Sequence, residues 1–182
     1  MNSSGFGVPV ENRYFEDYVR DSVHEFGVIP IEAEAIISFG RQFDPQVFHT
    51  DPDAAKSTMY GGLIASGWHT ASLMMREFVG HYLSKVASLG SPGVDELRWN
   101  MPVRPGDRLT LRVTVTQADR SRSKPDRGMV HSFIEVLNQD RNVVMTMKAV
   151  NFLLCRSPNQ PAHSSTKGRR PPHPLPDQTI EM

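Results

Sequence analysis

Hydrophobic and polar positions divide the chain into a helical first half and a strand-forming second half. Ser22 to Ile31 has an extended pattern, and Ala33, Ile36, Ile37 and Phe43 fall at helical spacing across Glu32 to Phe43. Pro45 disfavours helical geometry at Asp44, so the pattern predicts a helix that stops there. Asp51-Pro52 has the form of an N-cap followed by proline at the first helical position, opening a short helix through Ala55. The longest pattern runs from Ser66 to Leu89. Ala71, Met74, Met75, Phe78, Val79, Tyr82 and Val86 recur at three- and four-residue spacing, and Trp68, Leu73 and Leu83 widen the stripe. A helix apolar over so much of its circumference is predicted to be buried, with Gly90-Ser-Pro92 ending it.

Beyond Pro92 the period switches to two. Leu97, Trp99 and Met101 share a face of a first strand, and Leu109, Leu111, Val113 and Val115 alternate with polar residues in a second. Val130, Ile134 and Val136 mark a third, Asn138 to Asn142 forms a hairpin connection, and Val143 to Leu154 makes a long fourth. One buried helix followed by an antiparallel meander predicts an α+β domain, a curved sheet wrapped around that helix.

Composition narrows the class. At 182 residues the chain suits one domain with a tail. Twenty basic and 20 acidic residues leave no global field to attract nucleic acid or an anionic membrane. Cys155 is the only cysteine, which excludes an intrachain disulfide and a thiolate metal cluster. The N-terminus lacks the basic region and apolar run of a secretory signal, and no stretch reaches membrane-spanning length. The expectation is a soluble cytoplasmic protein with a flexible start at residues 1–11 and a body at 12–155. Residues 156–182 hold six of the 14 prolines and few apolar residues, so they are expected to form a disordered tail.

Candidate chemistry sits between the helices. Asp44 and His49 lie five residues apart across a proline-constrained turn and can converge on one water. An Asp before Pro also serves simply to end a helix, and a lone His is often structural. Downstream, Ser66 is a plausible N-cap that places Gly67 in the first helical turn with an unused N–H. The positive end of the helix dipole would stabilise a carbonyl oxygen gaining charge there. The alternative is that these glycines only allow the helix start to pack closely.

Asp44-x-Gln46-x-x-His49, the following Thr-Asp-Pro, and Gly62-Leu-Ile-Ala-Ser66-Gly67 together resemble the hydratase signature of MaoC-like proteins. Met101-Pro-Val-Arg-Pro-Gly-Asp107 and the strand after it also resemble that family, over residues 12–155 in all. The family includes the (R)-specific enoyl-CoA hydratases and adopts the hotdog fold. The resemblance implies reversible syn addition of water across a trans-2-enoyl thioester of CoA or acyl carrier protein. It implies that Asp44 and His49 hold the water and shuttle the proton, and that the Gly67 N–H meets the thioester oxygen. Gln46, Gly62, Ser66 and Trp68 would then contact substrate. No metal or cofactor is implied beyond the thioester's own carrier, and a homodimer with joined sheets is expected. The sequence departs from the family at Gln46 and Val47, where Asn and Pro are usual, at Ser66, often histidine, and at Trp68, usually smaller.

Other residues have weaker claims. His69 is read as a satisfied helix-start histidine, with the pocket as its alternative. Arg120, Arg122, Lys124 and Arg127 crowd one hairpin loop, solvated or else meeting carrier phosphates. Met74, Met75 and Phe78 pack the core or else line an acyl tunnel. Two rival functions stay open on the same fold, a thioesterase and a non-catalytic acyl-thioester binding protein.

Overall fold

The structure is a computed structural model that describes residues 6–157. The expected tail lies outside the described residues beyond Ser157, as do residues 1–5 of the expected flexible start. Of the rest of that start, Phe6 stacks on His24 with ring centroids 3.7 Å apart, and Val10 is buried.

The elements run β1 (Val23–Pro30), α1 (Ala33–Phe43), α2 (Val47–Thr50), α3 (Pro52–Ala55), α4 (Gly67–His81), β2 (Gly93–Trp99), β3 (Arg108–Arg120), β4 (Arg127–Leu137) and β5 (Val143–Leu154). One antiparallel five-stranded sheet has the order β1-β3-β4-β5-β2. Its inner face carries Leu109, Leu111, Val113 and Val115 of β3 with Val130, Ile134 and Val136 of β4, all fully buried. Met74, Phe78 and Tyr82 from α4 and its end pack with them in one core. This is the α+β hotdog arrangement, a single sheet holding one long helix.

Four expectations need correction. The meander comprises β3, β4 and β5 only: β2 pairs with β5 at the far edge, Leu97 opposite Met147 and Trp99 opposite Met145. Met101 falls past the end of that strand. Helix α4 stops at His81, not at Leu89, because its last carbonyls are claimed from elsewhere. The buried Arg13 guanidinium donates to the oxygens of His81 at 3.1 Å and Tyr82 at 2.7 Å, and the Tyr18 hydroxyl donates to the latter at 2.8 Å. The chain then turns on Ser84, whose hydroxyl accepts the Ala87 N–H at 2.8 Å. Finally, α4 buries one face and not its circumference: His69, Thr70, Met74 and Phe78 are inside, while Trp68, Met75 and Val79 are exposed.

Local caps follow the sequence closely. Asp51 accepts the Asp53 and Ala54 N–H groups ahead of Pro52, and Ser66 accepts the Trp68 N–H at 3.2 Å. Among the described residues, no helix is long and apolar enough to cross a membrane.

Candidate active site

Asp44 is the residue that ends α1, its backbone non-helical (φ −151°, ψ 72°) ahead of Pro45. Its side chain turns back into a cleft of about 540 Å³. Gln46 Nε2 donates to Oδ1 at 2.8 Å and Ser66 Oγ donates to Oδ2 at 2.7 Å. Burial pushes the carboxyl up, but these two donors and nearby His49 outweigh it and hold Asp44 below the ordinary aspartate value. Asp44 is therefore a carboxylate at neutral pH.

His49 lies on α2 with its side chain 5% exposed. Two bonds tie this turn to the segment before α4: the Ile64 N–H donates to Phe48 O at 3.0 Å, and His49 Nδ1 meets Ile64 O at 2.8 Å. A carbonyl oxygen only accepts, so Nδ1 carries the proton and the tautomer is assigned by this bond. In the neutral ring Nε2 is then an acceptor, and it stands 3.3 Å from Asp44 Oδ2. Two acceptors at that distance are reconciled by a proton on Nε2 or by one water donating to both. Nothing in the motif predicts the Ile64 carbonyl's part, because a backbone oxygen has no sequence signature.

Gly67 opens α4 and lines the same cleft, as do Gln46, Trp68, Trp99, Tyr60 and Phe48. A Cβ on Gly67 would stand 2.3 Å from Trp99 Cε2, so the close packing of the helix start requires the glycine. Gly40 is a second glycine with a task, unremarked in the sequence although it interrupts the helix: a Cβ there would lie 2.8 Å from His49 O. Its absence lets α1 and α2 approach and sets the separation of Asp44 from His49.

The remaining predicted residues divide. Ser66 and Gln46 both donate to the Asp44 carboxylate, and Gln46 also lines the cleft. Gly62 does not line the cleft and instead sits near Arg104, which donates to Tyr60 O at 2.7 Å. His69 also stays out of it, buried and stacked on Phe39 at 4.8 Å; its Nδ1 has no partner among the described residues, so it is not satisfied as expected. Burial pushes the pKa of this ring down. Met74 and Phe78 are buried in the core and do not line the cleft. The basic hairpin pairs with the Leu154 end of β5, ten residues or roughly 30 Å of strand from the cleft residue Val144. Arg120 there engages Glu16 and Cys155, and Arg127 engages Asp126. Among the described residues no group of three or more His, Cys, Asp or Glu has a metal-holding arrangement.

An Asp and a His thus share one cleft with the N–H at the start of α4, on a sheet that packs around that helix. Residues 19–135 match the MaoC-like domain family, and the chain belongs to that family. The crystal structure of the MaoC-like dehydratase from Rhodospirillum rubrum is 37% identical with a TM-score of 0.75, covering 80% of this chain and 99% of its own. The (R)-hydratase PhaJ1 from Pseudomonas aeruginosa, 18% identical, shares the fold with a TM-score of 0.63 over 92% of this chain and 96% of its own. The Bacillus subtilis protein YdeM, itself uncharacterized, is 23% identical over 126 residues, 68% of this chain and 86% of its own.

Proposed function

We propose that the protein reversibly adds water across a trans-2-enoyl thioester of CoA or acyl carrier protein, giving the 3-hydroxyacyl thioester. The observation that carries this reading is the His49 ring, fixed through Nδ1 with Nε2 turned to within 3.3 Å of the Asp44 carboxylate. A water held by both acceptors is aligned to add its oxygen to C3. The C2=C3 electrons shift toward the thioester oxygen, which the Gly67 N–H meets. The Asp44–His49 pair takes the water's proton and returns one to C2 on the same face. Dehydration is the reverse. The dehydratase likeness from Rhodospirillum rubrum and the (R)-hydratase that shares the fold support the choice of reaction.

The test is direct. Purified protein is expected to remove the conjugated-thioester absorbance of a short enoyl-CoA. Asp44→Asn and His49→Ala are each expected to abolish turnover while circular dichroism stays native; near-normal rates in both would refute the assignment. Free-thiol release from a saturated acyl-CoA would point to hydrolysis, and binding without turnover on any enoyl chain length would point to a carrier role.

A homodimer belongs to the same reading. Among the described residues the edge strand β2 is unpaired on one side, with exposed Val94 and Trp99 along it and exposed Met101 just past its end. Trp99 meets Trp68 edge-to-face at 5.3 Å, joining this strip to the exposed face of α4 at Met75 and Val79. An open edge beside an apolar strip favours self-association. Sedimentation should give at least a dimer.

A further inference from the structure

Trp99 is the last residue of β2 and borders the cleft together with Gly67. Its indole lies so close that a Cβ on Gly67 would stand 2.3 Å from Cε2 and 2.5 Å from Nε1. One carbon–carbon bond further on, the indole nitrogen is within about 4 Å of the Gly67 Cα. As the first residue of α4, Gly67 has no intrahelical acceptor for its N–H. The indole N–H is likewise a donor that cannot accept, and no acceptor for it is found among the described residues. Gly67 and Trp99, each with an N–H donor to offer, thus line side by side the cleft that also holds Asp44 and His49.

We infer that the Trp99 indole N–H is a second hydrogen-bond donor to the thioester oxygen, beside the Gly67 N–H, which makes Trp99 a catalytic residue of the hydration. The inference rests on the proposed thioester reaction. A carbonyl oxygen has two lone pairs, and both donors gain strength as C2=C3 electrons move onto it. The indole is braced for this: Trp68 packs edge-to-face on it with rings at 76°, and β2 ties it to Met145 of β5. The inference also gives the crowding at Gly67 a purpose. A side chain at 67 would displace the indole and with it the second donor.

Trp99→Phe, made in the full chain, keeps an apolar ring and removes the N–H. With a short enoyl-CoA, kcat is expected to fall roughly ten- to a hundredfold and KM to rise by less, in step with the loss of thioester affinity. Trp99→His returns a ring N–H and should recover part of the rate. A second readout avoids turnover: calorimetric affinity for butyryl-CoA against its S-butyl thioether, which lacks the carbonyl. Trp99→Phe should weaken only the thioester. Equal weakening of both ligands would make Trp99 a plain wall and overturn the inference. So would unchanged kcat and thioester affinity in a variant of an active wild type, and this result leaves the hydratase reading standing. A wild type that hydrates no enoyl chain length overturns the reaction and the role of Trp99 together.

Discussion

The Ser66 hydroxyl stands 2.7 Å from Asp44 Oδ2 while accepting the Trp68 N–H at 3.2 Å, so one side chain caps α4 and holds the carboxylate. Ser66→Ala removes both functions. We expect kcat for enoyl-thioester hydration to fall about tenfold, and stability to drop by about 1 kcal/mol from the lost cap. Denaturant titration and steady-state kinetics check the two effects separately. A rate equal to wild type would show that Gln46 alone orients Asp44.

The depressed Asp44 pKa sets a pH signature. A carboxyl lowered on folding contributes stability that is fully present above its unfolded value, near about 3.9. That contribution is lost as pH falls through the folded value. The melting-point deficit of Asp44→Asn should thus be largest near neutral pH and shrink below the ordinary carboxylate range. A deficit constant between pH 7 and pH 3, by thermal melts in matched buffers, would contradict the assignment.

Gly40→Ala places a methyl 2.8 Å from His49 O and 3.0 Å from His49 Cβ without entering the cleft. Parting α1 from α2 is expected to cost about 1–3 kcal/mol and to lower kcat by tenfold or more through misplacement of His49. Gly80→Ala is the control, since nothing lies within 4 Å of that position in the exposed stretch of α4. It should leave the rate unchanged and stabilise slightly.

Arg13, 4% exposed, spans the end of α4 and the Val8 carbonyl with its guanidinium 3.4 Å from the Phe6 ring centre. Arg13→Ala should cost about 2–4 kcal/mol, since buried carbonyls lose a charged donor. Lysine should not restore it, because one ammonium cannot span the fork. Chemical denaturation of both variants measures this, and kcat at low temperature should stay near wild type.

Periodicity conveys burial, and where burial alone decides the structure the sequence is legible. The alternation through Leu109 to Val115 and the spacing of Ile36, Met74 and Phe78 identify the faces that meet in the core. The end of α4 is not legible, because Tyr82, Leu83 and Val86 continue the apolar pattern from a non-helical segment while the stop comes from Arg13 and Tyr18. Nor does alternation say which strand is whose neighbour, so β2 was expected beside β3. At the site, Asp44, His49 and Gly67 carry a motif, and they converge on one cleft. Gly40, Trp99 and the Ile64 carbonyl act through distance or backbone, and these leave little local trace. A glycine inside an otherwise helical run was the one available hint for Gly40.

The pairing of β2 with β5 has a consequence for synthesis. Gly93–Trp99 leaves the ribosome more than 40 residues before Val143, the start of its one partner strand among the described residues. At roughly 5–20 residues per second that is a wait of some seconds. During it Asp44, His49 and Gly67 are all translated, yet the wall carrying Trp99 has no ladder to hold it. The nascent chain thus acquires its polar groups early and its cleft last, and a product truncated within β5 would carry the motif without the pocket.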